Sequence, residues 1–545
     1  MTFKRIDQTP CHDALLEQVR DMADPTRHLK LLLKDPKRRI DFSTRGGGLY
    51  LDYTRQRLTR TIRDLLIDAA QRLQLPQRFE EMCRGKKINV TEGRAVLHTA
   101  TRQFGKEAVH VDGQDVMPEI RRVNDEVRRF SAAVLDGRIR GATGSAFRHV
   151  VVVGIGGSYL GTEFVATALA AYARDGIALH FLSNVDVHNF GAIVGKIDPP
   201  STLWIIISKS YTTAETMANA NLVQTFMRDQ GLDPARHMVT VTAKGSPGDD
   251  PDRPVLRSFH MFDFIGGRYS VTSAVGTVPL SLYLGYEKVE AFLKGAHEMD
   301  THARIAPPEE NLPMLAALIS VWNTTYLGYP QQAIIPYAAP LAKLAPHIQQ
   351  LNMESNGKSV DIDGDFLPSP AGTVIFGEPG TNAQHSFFQL AHQGPAFPVD
   401  FIGVLKPQFP QYDTRSKGVT NHQELWANML AQARALAEGE ENTDRARHFA
   451  GNRPSSTLVL EDLSPANIGR LLSFYEARTI FEGFIWGINS FDQFGVQLGK
   501  TLATGLRSQM AERNQDPGHT PGHSFDAADP IGSHYLEMLY AGKFQ

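Results

Sequence analysis

Cysteine is nearly absent from this 545-residue chain, which has only Cys11 and Cys83. Two thiols make neither a disulfide framework nor a zinc set, and such scarcity fits a reducing compartment, so the chain reads as cytoplasmic. An excess of one charge is missing too. Lys and Arg number 56 against 59 Asp and Glu, a formal net charge of −3, which leaves no electrostatic case for a nucleic-acid partner. No apolar run approaches the ~18 residues of a membrane span, so no membrane partner is expected. Residues 2–16 carry charges throughout and lack the apolar centre of a signal peptide. What remains, 42% hydrophobic and 21% charged residues, is ordinary globular composition, in a chain too long for one hydrophobic core.

Periodicity divides the chain. Up to about residue 140 the pattern is helical. Leu58, Ile62, Leu65, Leu66, Ala69 and Leu73 recur at helical spacing, and 117–135 is a charged amphipathic segment. From His149 onward, β-rich runs at 150–153, 178–182, 203–207 and 238–242 alternate with helical stretches. That alternation predicts βαβ units and a parallel sheet. A second alternation has candidate strands at 332–335, 373–376, 399–405 and 457–460, and helices at 312–326, 341–353, 423–437 and 465–486. The expected class is α/β, with a helical segment over 1–140, α/β domains over 141–290 and 305–510, and a tail over 511–545. Within that tail, the Pro- and Gly-rich stretch 516–532 is expected to run over the surface before a short final helix.

Several familiar motifs fail on spacing. Gly154-Ile155-Gly156-Gly157-Ser158-Tyr159 follows a strand, but Tyr159 stands where a dinucleotide fingerprint needs its third glycine. Gly499-Lys500-Thr501 ends like a nucleotide-binding loop, yet Phe494 occupies the place of its first glycine, and Gly357-Lys358-Ser359 fails at Asn352. Asp361-Ile362-Asp363-Gly364-Asp365 begins like a calcium loop but has Phe366 and Gly372 where Gly and Glu are required.

The stretch Ser208-Lys209-Ser210-Tyr211-Thr212-Thr213-Ala214-Glu215-Thr216 is more productive. A strand ending in a hydroxyl-rich loop that opens a helix suits an anion, because first-turn N–H groups are unpaired and the helix dipole favours negative charge there. An N-capped turn is the simpler alternative, since Ser and Thr are the usual caps. Gly266-Gly267-Arg268 sets a planar cation beside two glycines. Gln350 and Glu354 lie where a helix with the apolar stripe Leu341, Leu344, Ala345, Ile348 and Leu351 ends, and the 3.6 period puts Glu354 at the stripe's border, a place for a half-desolvated base. His385 follows a helix start capped by Thr381 or Asn382. Gln493, Gln497 and Lys500 recur at one helical face. A phosphate cradle, a carboxylate, a histidine, an arginine and a lysine form a sensible set for proton transfer beside the carbonyl of a phosphorylated sugar.

At these residues, in this order, the chain resembles the glucose-6-phosphate isomerase (phosphoglucose isomerase) family. The likeness is carried by 154–161, 208–216, 266–276, 350–358, 377–394 and 491–500, and by Asn89-Val90-Thr91-Glu92-Gly93-Arg94-Ala95-Val96-Leu97-His98. The resemblance implies two αβα-sandwich sugar-isomerase (SIS) domains with parallel sheets, a homodimer with shared active sites, and no cofactor or metal. It implies reversible conversion of glucose 6-phosphate and fructose 6-phosphate through a cis-enediol. Glu354 would be the base, and Arg268 would steady the enediolate. His385, from the neighbouring subunit, would open the ring with Lys500, and Glu215 would lie near the imidazole. Ser208, Lys209, Ser210 and Thr213 would hold the phosphate beside Gly157 and Ser158, and Gln350 and Gln493 would bind substrate. Ser210-Tyr211 stands where Thr-Phe is common, which keeps the hydroxyl. A broader isomerase that also takes mannose 6-phosphate and a non-catalytic sugar-phosphate sensor remain the other readings. The sensor would need the cradle but neither Glu354 nor Lys500.

Overall fold

Valine and isoleucine runs build the first sheet in the computed structural model, which describes residues 4–515, 525 and 529–544. Its five parallel strands stand in the order Ala178–Leu182, His149–Val153, Thr202–Ile207, Met238–Ala243, Arg257–Met261. β-Branched side chains favour pleated backbone, and a parallel strand covered on both faces reads as one unbroken apolar run. Every residue of Thr202–Ile207 is buried accordingly. The chain lays its second strand on one side of the first and its third on the other. The loops after His149–Val153 and Thr202–Ile207 therefore part at the carboxyl edge, the crevice where open α/β sheets bind ligands.

The second sheet has the order Ser43–Gly46, Leu49–Asp52, Ser455–Leu460, Val399–Val404, Gln331–Pro336, Val374–Phe376. Its last four strands are parallel. The hairpin at its edge is antiparallel and comes from the stretch that reads as purely helical in the sequence. Leu49 and Leu51 are buried and Tyr50 and Asp52 half-buried, but alternation over four residues is too short to stand out against helical neighbours.

Helix Pro465–Trp486 runs through the core with nearly all its residues buried, packed on Tyr286–Ile305. Glycines set that approach: a Cβ on Gly295 would strike the Ala466 carbonyl, and one on Gly469 the Phe292 carbonyl. Charges inside this core are paired, as burial demands. Arg102 bonds Asp300 (2.6 Å) and Glu476 (2.6 Å), and Arg478 bonds Asp400 (2.5 Å) and Glu482 (3.0 Å).

Two compact units divide the chain, Met1–Phe491 and Asp492–Gln545. The second contains helices Gln497–Gln515 and Pro530–Ala541, tied by Arg513, which pairs with Glu537 (2.7 Å) and lies over the Tyr540 ring. The expected surface stretch 516–532 falls outside the described residues except for Phe525 and 529–532. Among the described residues, no helix is long and apolar enough to cross a membrane.

Candidate active site

The hydroxyl-rich loop occupies the crevice of the first sheet. Thr202–Ile207 runs into buried Ser208, and helix Ala214–Asp229 starts after Thr213. Thr213 holds the capping position, yet its side chain makes no capping hydrogen bond. No hydroxyl is spent on the helix start itself, while Ser208 and Ser210 each accept from a loop N–H, that of Tyr211 and that of Thr212. The hydroxyls are organised among themselves. Ser208 Oγ accepts from the Tyr211 backbone N–H (3.1 Å) and donates to Thr213 Oγ1 (3.4 Å), and Ser210 and Thr212 join through their hydroxyls at 2.6 Å. Tyr211 takes a left-handed backbone (φ 55°) to make the turn. Half-buried Glu215 lies in the first helical turn, where the dipole favours a carboxylate.

Lys209 departs from its expected direction. Its ammonium donates to the backbone carbonyls of Asp263 (2.9 Å) and Ile265 (3.3 Å) and lies 3.6 Å from the Asp263 carboxylate. Burial lowers its pKa from the usual lysine value.

Gly156-Gly157-Ser158, a single turn after His149–Val153, presses against Gly266-Gly267-Arg268. A Cβ on Gly157 would sit 2.7 Å from the Arg268 nitrogen and closer still to the Gly267 carbonyl, so only glycine fits. Ser270 Oγ reinforces the contact by donating to the Gly157 carbonyl (3.1 Å). A Cβ on Gly156 would lie 3.1 Å from Gln350 Nε2, which brings this turn to the segment that follows strand Gln331–Pro336 of the second sheet.

That segment is not the continuous helix expected over 341–353. It divides into a short turn, helix Leu344–Ile348 and a π-helical turn, Gln349–Glu354. Pro346 lacks an N–H, so it confines the helix to a start just before it. The apolar stripe Leu341, Leu344, Ala345, Ile348 and Leu351 is buried as expected, and Glu354 stands at its border with a side chain 23% exposed. Arg268, with a side chain 1% exposed, places Nη1 at 3.3 Å from Glu354 Oε1. Its Nε donates to Ser355 Oγ (2.7 Å) and its Nη2 to the Ser490 carbonyl (2.7 Å). Tyr269 meets Ser355 Oγ at 3.0 Å, and burial pushes this phenol up to about 12, so it serves as a neutral hydrogen-bonding group.

Ser355, Ser490, Asn352, Asn356 and Glu482 escaped the sequence reading. Asn352 and Asn356 both donate to Glu482 (2.6 and 3.1 Å), which Arg478 neutralises, and Ser490 Oγ donates to Asn356 (2.8 Å). This buried network fixes the turn carrying Glu354 and the carbonyl that aims Arg268. A polar cluster on the inner face of a core helix was its one sequence signal. The motif 89–98 joins it indirectly, for Asn489 donates to Asn89 (2.9 Å) and Thr91 (2.7 Å). Gln350 Oε1 is buried without a hydrogen-bond partner among the described residues.

The remaining candidates lie elsewhere. His385 is exposed and ends the turn Asn382–His385; the α-helix begins only at Phe388, where Phe387 and Phe388 enter an aromatic cluster. Neither Thr381 nor Asn382 caps it. Gln493 and Lys500 are exposed in the second unit. Gln493 precedes the turn Phe494–Val496 and the helix starts at Gln497, so the three residues do not share one helical face. Gly495, a poor helix former, stands in the break. Among the described residues, no group of three or more His, Cys, Asp or Glu side chains is placed to hold a metal ion.

A family profile described as phosphoglucose isomerase matches residues 52–525. A glucose-6-phosphate isomerase of Desulfosudis oleivorans is 61% identical over 543 residues, covering 99% of each chain. A cytosolic glucose-6-phosphate isomerase of Arabidopsis thaliana is 45% identical over 505 residues, 89% of each. The crystal structure of a glucose-6-phosphate isomerase from Chlamydia trachomatis superimposes with a TM-score of 0.89 at 36% identity, covering 99% of this chain and all of that one.

Proposed function

Because the chain belongs to the phosphoglucose isomerase family, we propose that it converts glucose 6-phosphate and fructose 6-phosphate reversibly, as an aldose–ketose isomerase. The observation that carries this reading is the meeting of Glu354 and Arg268 at 3.3 Å, across the boundary between the two sheets. A carboxylate that removes a proton next to a carbonyl needs a cation close by to take the charge that develops on oxygen. Here the cation is held in place before any substrate arrives.

Ser208, Ser210 and Thr213, with the uncapped first-turn N–H groups of helix Ala214–Asp229, hold the phosphate, and Gly157 and Ser158 stand beside them. The phosphate is remote from the reacting carbons, so its binding positions the sugar for the chemistry. Gln350 takes a sugar hydroxyl with its unpartnered oxygen. Glu354 moves the proton between C2 and C1 on one face of a cis-enediol. Arg268 stabilises the enediolate, worth about 3 kcal/mol for a preorganised donor in a dry site. Ring opening falls to His385 with Lys500, near Glu215, and Gln493 contributes to binding.

His385 is exposed and has no hydrogen-bond or ion partner among the described residues, which suits a histidine supplied to the site of a second copy. The working form is accordingly a homodimer with shared sites, in the cytoplasm, as the name of the Arabidopsis relative states for that protein. The two halves are SIS domains built on the first sheet, over 141–290, and on the second, over 305–491 with the hairpin 43–52. Purified protein should turn over fructose 6-phosphate in an assay coupled to glucose-6-phosphate oxidation, with chelator present. Absence of turnover there refutes the assignment.

A further inference from the structure

We propose that the Lys209 side chain is a positioning group, a tether that joins the phosphate cradle to the loop carrying Arg268, and not a ligand of the phosphate. The proposal rests on the isomerase reading above and assigns this residue a different task within it.

Both ends of the tether are fixed. At the near end Lys209 follows buried Ser208, and its own carbonyl accepts from the Ala243 N–H (2.9 Å) and from Thr242 Oγ1 (3.2 Å). The side chain then passes beyond strand Met238–Ala243 to the chain leaving the edge strand Arg257–Met261. At the far end it meets the carbonyls of Asp263 and Ile265. Ile265 is 2% exposed and directly precedes Gly266-Gly267-Arg268. An ammonium has three N–H donors. Two are on carbonyls, and the Asp263 carboxylate 3.6 Å away already supplies the ammonium with a counter-charge, so the side chain is anchored at the Asp263–Ile265 chain by three contacts.

The phosphate keeps its hydroxyls and backbone N–H groups without it. What the tether supplies is a constant distance between the two ends of the bound sugar phosphate. The Arg268 loop is already in backbone contact with Gly157, and Lys209 holds the chain entering it at the Ile265 carbonyl. Without the tether the loop can shift, and a shift near 1 Å at a reacting centre costs on the order of 100-fold in rate.

The two roles separate in a kinetic comparison of wild type, Lys209→Met, Arg268→Lys and the double variant, with inorganic phosphate as competitive inhibitor. A tether predicts that Lys209→Met lowers kcat about 10-fold or more while KM and the phosphate inhibition constant move less than about 3-fold. The same change in the Arg268→Lys background should cost less than about 3-fold, because the group it acts through is already impaired. Lys209→Arg, which can still reach the carbonyls, should restore most of kcat. A 10-fold rise in KM and in the phosphate constant with kcat held, or full additivity with Arg268→Lys, overturns the proposal. Near-normal phosphate inhibition shows that the variant is folded, and wild-type turnover in the same assay tests the isomerase reading separately.

Discussion

Replacing Gly157 with alanine tests the loop contact on which the active-site geometry depends. The new Cβ would lie 2.7 Å from the Arg268 nitrogen and nearer to the Gly267 carbonyl, whereas ordinary contact begins at 3.4 Å. Both opposing groups are backbone, so neither can rotate aside, and the loops must part by roughly 1 Å. Arg268 moves with its loop, away from the oxygen whose charge it meets. A displacement of that size costs about 100-fold, so kcat/KM should fall by about 2.7 kcal/mol in transition-state terms. The strain itself should take about 1–3 kcal/mol from stability, well short of unfolding a chain this size. Coupled-assay kinetics and urea unfolding measure the two effects. If kcat/KM stays within 3-fold of wild type while the protein remains folded, the contact does not position the arginine.

The remaining expectations concern binding, pH and assembly. Ser208→Ala with Thr213→Ala removes two cradle hydroxyls and should raise KM about 10-fold or more with a smaller change in kcat, since each hydrogen bond to a charged group is worth about 1.5–3 kcal/mol; an unchanged KM would put the phosphate elsewhere. His347 is fully buried, stacked on Phe164, and burial pushes its imidazole down from 6.5 to about 4. The unfolded chain therefore binds its proton first, so the stability held above pH 6.5 is lost as pH falls toward 4, by about 2 kcal/mol at pH 5. His347→Phe should flatten that part of the urea-stability profile against pH; a parallel profile would contradict the buried neutral state. Refolding His385→Ala together with Glu354→Gln should restore up to about a quarter of wild-type activity, because half the dimers are mixed and each has one intact site. No recovery would argue for sites complete within one subunit.

Much of the fold was visible in the sequence because parallel strands buried on both faces leave continuous apolar runs. Thr202–Ile207 and Pro465–Trp486 appear close to where their patterns place them. The hairpin 43–52 did not, since its strands are four residues each and their partner lies some 400 residues away along the chain. At the site, loops announce themselves by composition: hydroxyls at 208–213 and glycines flanking Arg268. Side-chain direction does not. Nothing in the local sequence says that Lys209 turns to Asp263, or that Ser490 aims Arg268, because both contacts join segments distant in the chain. The π-helical turn was hidden for a related reason. Gln349–Glu354 has the composition of any helix end, and its geometry comes from the Glu482 network beneath it.

Proton transfer by Glu354 is tested most directly by isotope exchange at C2. Glucose 6-phosphate deuterated at C2 is incubated with Glu354→Gln in ordinary water, and loss of the label is followed by NMR while binding is measured by calorimetry. Label loss should fall by at least about 1000-fold, as expected for removing a general base, with substrate still bound. Loss of label at the wild-type rate would take the proton-transfer role away from Glu354.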